Sequence, residues 1–179
     1  MIPAGSLAAF TALCEEDVGY VDRWLAEAER LNIPFAIHFD RCSQRTKDRF
    51  QKHPLCAGFS KQNSPNIEFN EKHKQGALDV LQHRHRGKFK WALSWDIDET
   101  WEKTAPEKLA DGLDDAYDHL KIRWINLWGD ERHVRVDTLF GLAPRVKLYN
   151  LQGDRTWVFD GKITNGCKMG KRGVKGLEG

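Results

Sequence analysis

The spacing of apolar residues along the chain predicts alternating strands and helices in its first half. Leu7 to Leu13 is a short apolar run that ends abruptly at Cys14-Glu15-Glu16-Asp17, a length that suits a buried strand better than a helix. Val18, Val21, Trp24, Leu25, Ala28 and Leu31 follow at spacings of three and four, which predicts an amphipathic helix. Asp17 is its expected N-cap, and Asn32 before Pro34 marks its end. Phe35 to Phe39 reads as a second buried strand closed by Asp40, and Ser43 to His53 as a polar helix stopped by Pro54. Residues 61–70 have loop composition. Residues 71–84 predict a helix carrying Ala77, Leu78 and Leu81, and Phe89 to Trp95 a strand running into Asp96-Ile97-Asp98-Glu99.

Residues 105–120 predict a further helix, with Pro106 near its start and Leu109, Leu113, Ala116 and Leu120 on one side. Beyond it the pattern becomes short alternating stretches around Ile122 to Leu127, Val134 to Val136, Val146 to Tyr149 and Trp157 to Phe159. The expected fold is therefore α/β, a mostly parallel sheet flanked by helices with antiparallel strands in the second half. Residues 160–179 hold six of the 15 glycines and five basic against two acidic residues, which reads as a loop-like basic tail. We accordingly draw one domain over residues 1–160 and a Gly/Lys-rich tail over 161–179.

Composition narrows the classes. Hydrophobic residues make up 40% and charged residues 30% of 179, a globular profile. The 28 Lys and Arg against 26 acidic residues exclude a global polycation, and no nucleic-acid motif accompanies the basic run His83-Arg84-His85-Arg86, which reads as a solvated helix end. No apolar stretch is long enough for a membrane span, and the first residues do not read as a secretory signal. Cys14, Cys42, Cys56 and Cys167 lack the spacing of a zinc knuckle or redox pair, so reduced thiols in the cytoplasm are the expectation.

Chemistry concentrates at predicted strand ends. Asp96 and Asp98, two residues apart, would project together if extended geometry persists, and two carboxylates there suit a hard cation such as Mg²⁺ or Mn²⁺. The bland alternative is an acidic turn capping the next helix. Asp40 ends the second strand, where it either accepts from a base or ribose hydroxyl or simply starts the next helix. In Asp130-Glu131-Arg132-His133-Val134-Arg135-Val136-Asp137, alternation would align His133, Arg135 and Asp137 on one face. There Arg135 or His133 would meet a diphosphate, and Asp130 or Glu131 would act as base; otherwise the segment is a charged hairpin.

Three stretches taken in order (Ala9 to Glu16, Asp40-Arg41-Cys42-Ser43 and Trp95-Asp96-Ile97-Asp98-Glu99) resemble the nucleotide-sugar glycosyltransferases of the GT-A fold, in particular a family 2-like group with an Asp-x-Asp-Glu motif. Asn126 to Asp137 is similar to that group's later motif, and the resemblance covers about residues 7 to 160. It implies a Rossmann-like domain that moves a sugar from a nucleoside diphosphate to a hydroxyl of a glycan, lipid or protein. Thr11 and Glu15 or Glu16 would line the nucleotide pocket, Asp40 would approach the base, and Lys74 and Gly76 would occupy the helix before the motif. Asp96 would contact the ribose or a Mn²⁺ or Mg²⁺ ion, and Asp98 would ligate that metal. Asp130, Glu131 and behind them Glu99 are the candidates for deprotonating the acceptor. The group often has a later metal-binding histidine, yet no histidine follows His133. A binding module without turnover is the alternative from another class. A phosphohydrolase built on Asp96 and Asp98 is disfavoured, because its nucleophile would follow the first strand.

Overall fold

The structure is a computed structural model in which residues 2–3, 5–62, 72–123, 127–128, 130–134, 144–159 and 167–170 are described. Its strands are β1 (Leu7–Cys14), β2 (Phe35–Asp40), β3 (Cys56–Gln62), β4 (Trp91–Ser94), β5 (His119–Arg123), β6 (Leu127–Trp128), β7 (Asp130–Val134), β8 (Pro144–Asn150), β9 (Thr156–Phe159) and β10 (Cys167–Gly170). The helices are α1 (Val21–Leu31), α2 (Gln44–Gln51), α3 (Lys72–Asp79) and α4 (Ala105–Gly112). Six strands form one sheet in the order β3-β2-β1-β4-β8-β5, with β3, β2, β1 and β4 parallel and β8 antiparallel to both its neighbours. Two small antiparallel pairs, β6 with β7 and β9 with β10, are the other strands among the described residues. This is the expected α/β class with a mixed sheet.

The elements follow from local chemistry. In α1, Val21, Trp24, Ala28 and Leu31 bury one stripe, and Asn32 ends the helix in the left-handed region at φ 51°. Asp17 does not cap it. A 3₁₀ segment, Glu15–Tyr20, comes first, and Val18 stays exposed. Ser43 caps α2 by accepting from the Thr46 N–H at 3.2 Å, as Ser at a helix start does.

Other boundaries differ from the sequence reading. The helix expected over 105–120 stops at Gly112, and the Asp114 carboxylate accepts from the Ala116 N–H at 2.9 Å in a local turn that leads into β5. The strand β3 carried no recognisable pattern because it is a sheet edge with no fully buried side chain. Arg84 and His85 brace that edge, donating to the Phe59 carbonyl at 3.4 Å and meeting the Ala57 carbonyl at 2.6 Å, so this part of the basic run is more than a solvated helix end. Cys167–Gly170, inside the stretch read as a tail, pair with β9.

Two cores lie on opposite faces of the sheet. One holds Leu7, Ala9 and Leu13 of β1, Phe35, Ile37 and Phe39 of β2, and Trp91 and Leu93 of β4 against α1 and α2. Its centre is Trp24, whose ring lies 5.0 Å from Phe35 and 4.7 Å from Trp95. The other holds Ala8, Phe10, Ala36 and Ala92 against Ala77 and Leu78 of α3, with Tyr149 and Trp157. The period of two along each strand assigns residues to these faces. No helix among the described residues is long and apolar enough to cross a membrane.

Candidate functional site

The chain runs β1 to β2 to β3 in one direction and then returns to place β4 on the other flank of β1. At such a reversal the crossovers diverge and leave a crevice beyond the carboxyl ends of the strands. Cys14, Asp40 and Asp96 stand at those ends of β1, β2 and β4. They share the α3 side of the sheet, where the first turn of α3 contributes His73 and Lys74.

Asp96 is the electrostatic centre of this mouth. Its Oδ1 pairs with the Lys74 ammonium, and its Oδ2 accepts from Lys147 Nζ at 2.8 Å. Lys147 also donates to Glu99 Oε1 at 2.7 Å, while Glu99 Oε2 accepts from the Asp96 N–H at 3.0 Å. Lys147 reaches this point because β8 runs antiparallel beside β4, one residue beyond the Leu93–Leu148 pair. Burial opposes ionisation of Asp96, but the two lysines outweigh it and hold its carboxyl below the usual range. Burial likewise opposes the charge on Lys147, and Asp96 and Glu99 outweigh it and raise its pKa. Burial pushes the Glu99 carboxyl up to about 7, against the pull of Lys147 and with the Asp96 charge adding to the rise.

The extended geometry expected through Asp98 does not persist. The strand ends at Ser94, and the Glu99 N–H donates to the Asp96 carbonyl at 3.1 Å, closing a turn. Trp95 Nε1 donates to the Glu99 carbonyl at 3.1 Å and fixes the same turn. Ile97 points into the core, Asp98 is exposed, and Arg23 donates to the Asp98 carbonyl at 2.9 Å. Asp96 and Asp98 therefore do not present paired carboxylates as a strand would.

Beside this centre, Asp40 is fully buried, with Arg41 Nε donating to its Oδ2 at 3.2 Å and His73 Nδ1 3.6 Å away. Cys14, Asp40 and His73 bring donor atoms within 4.8 Å of one another, a set that suits a softer cation than Mg²⁺. Arg41, at φ 55°, lays its guanidinium across the same group, with Nη2 4.0 Å from Cys14 Sγ. His38, two residues before Asp40, is buried, and its Nδ1 meets Ser60 Oγ at 2.8 Å while its Nε2 has no hydrogen-bond partner among the described residues. Burial, aided by His73, lowers its pKa to about 4, so the ring is neutral. Gly76 permits this packing, since a Cβ there would meet His38 Nδ1 and Ser60 Oγ at 2.5 Å.

Two sequence candidates sit away from the mouth. Thr11 is fully buried, and strand parity puts it on the α1/α2 face three residues inside the end of β1, so it offers nothing to a pocket. Glu15 braces α2, accepting from the Ser43 N–H at 2.7 Å and from Thr46 Oγ1 at 3.3 Å; the Ser43 bond lowers its pKa. Asp130 and Glu131 belong to β7, with side chains outside the described residues, as is all of Arg135. The sequence reading missed Lys147, His38 and His73. Lys147 alternates with Val146 and Leu148, an ordinary strand pattern, and only the pairing of β8 with β4 reveals its partner.

The fold and mouth define an α/β protein with a partly buried, ion-paired centre at a strand-order reversal. No protein-family model, no curated protein and no solved structure matches the chain.

Proposed function

We propose that this chain is a glycosyltransferase of the GT-A type, taking a nucleoside diphosphate sugar at the strand-end mouth and passing the sugar to an acceptor hydroxyl. One observation carries the reading. Lys74, Asp96 and Glu99, drawn from a helix and from the Asp-x-Asp-Glu turn, meet in one hydrogen-bonded cluster at the strand-order reversal. The fold supports it, because such reversals are where open α/β sheets take nucleotides.

The resemblance also implies Mn²⁺ or Mg²⁺ at Asp96 and Asp98, and the residues do not fit that ion. Both oxygens of Asp96 are engaged by lysines, and Asp98 stands exposed across a turn. A hard cation prefers several converging oxygens, which this cluster does not offer. Glu99, titrating near neutrality, is placed to hold or accept a proton in the mouth, the property a general base needs. Asp130 and Glu131 remain the sequence candidates for the acceptor side.

The closed pairing of Asp96 favours a second reading, a module that binds nucleotide without turnover. Incubation with UDP-, GDP-, CDP- and TDP-sugars, followed by assay of released nucleoside diphosphate, separates the two. Release from one donor, accelerated by acceptor and reduced in Asp96→Asn, is the expected result. Binding without release selects the module, and neither binding nor release removes both.

A further inference from the structure

The misfit between Asp96 and a divalent cation has a second half, because positive charge already stands where the cation would be. Resting on the donor-site reading above, we propose that Lys74 and Lys147 hold the diphosphate of the donor in place of a divalent metal ion. The two ammoniums flank one carboxylate from opposite elements, Lys74 from α3 and Lys147 from β8, both largely buried. Arg41 adds a third cation at the end of β2, across β1 from the lysine pair, on Asp40. Each carboxylate at the ends of β2 and β4 is thus matched by a protein cation, leaving the Lys pair with a positive surplus whenever Glu99 carries its proton.

Ammonium groups bind phosphate oxygens by charge-assisted hydrogen bonds and, unlike a metal, cannot be removed by a chelator. A metal entering the same place would have to displace both lysines from Asp96. The carboxylate then acts as a positioning group, holding the two ammoniums side by side so that their repulsion is offset before any ligand arrives. Asp98, exposed and outside the cluster, takes no part.

The test uses the whole chain and compares uridine, guanosine, cytidine and thymidine with UDP, GDP, CDP and TDP, each in EDTA or with Mn²⁺. Binding is read by calorimetry and by the rise in thermal midpoint. One diphosphate is expected to bind more tightly than its nucleoside, equally well in EDTA. In Lys147→Met that advantage should fall by about tenfold or more, and Lys147→Arg should recover part of it. Should Lys147→Met fail to fold, the wild-type comparison in EDTA still decides. Diphosphate binding that appears only with Mn²⁺ and disappears in Asp98→Ala overturns the proposal while leaving the glycosyltransferase reading in place. Absence of diphosphate binding under every condition overturns both.

Discussion

The two faces of the sheet are built on different physics. On the α1/α2 face, Trp24, Phe35, Phe50 and Trp95 interlock in a mainly apolar, aromatic centre, and each ring touches others that share its burial. The α3 face begins the same way, with Ala8, Phe10, Ala36 and Ala77, but toward the strand ends it changes to His38, Asp40, His73, Lys74 and Asp96. Burying such groups costs free energy unless each is paired, so the second face holds its geometry through specific contacts rather than through area. An apolar core tolerates loss in proportion to volume. A polar one responds to charge and pH.

That contrast can be broken most severely at its apolar end. Trp24→Ala should lower stability by about 3–5 kcal/mol, measured by denaturant unfolding, with little change in the shape of the pH profile. A loss below about 1 kcal/mol would mean the aromatic cluster is not the centre of the fold.

The polar face should instead declare itself in the pH dependence of stability. Glu99 has a folded pKa near 7 against 4.5 ordinarily, so the native state binds more protons between those values. Its contribution is present below pH 4.5 and is lost as the pH rises through 7. His38 has a folded pKa near 4 against 6.5, so the native state binds fewer protons in that window. Its contribution is present above pH 6.5 and is lost as the pH falls through 4. The two slopes oppose each other in the wild type. Glu99→Gln should leave stability rising with pH more steeply than in the wild type, and His38→Gln should leave it falling more steeply, each by on the order of 3 kcal/mol across its own window. Parallel profiles for both variants and the wild type would show that neither group titrates as described.

A smaller effect probes steric fit on the same face. Gly76→Ala should cost about 1–3 kcal/mol, because its methyl group meets His38 and Ser60 where α3 crosses the sheet. An unchanged midpoint of unfolding would mean that helix and sheet are not in such close contact. The smallest change belongs to the apolar side. Ser43→Ala removes the cap on α2 and should cost about 1 kcal/mol, without altering either pH slope.

Much of this contrast was legible along the chain, unevenly. Phe35 to Phe39 and the stripe from Val21 to Leu31 announced themselves because burial on one face repeats at the period of the element. Lys74, Asp96 and Glu99 were visible as polar residues at predicted element ends. Their mutual pairing was not, since Lys74 and Asp96 approach only after β4 has crossed to the far side of β1. β3 was invisible because an edge strand needs hydrogen bonds to β2 more than it needs apolar side chains. Thr11 misled because position near a strand end does not say which face a side chain takes.

The residue pattern along the chain settles the alternation of strands and helices in the first half, the apolar stripe on α1, the helix beginning near Ser43 and the stop at Asn32. These are short-range choices made by residues within a turn or two of one another. Long-range packing places Lys147 on Asp96, turns Asp98 away into solvent and holds His38 neutral beneath Gly76. Those outcomes depend on strand order and register, which join residues as far apart in the chain as Leu7 and Trp91. They also depend on burial, which sets the charge a group can carry only once its neighbours have closed around it.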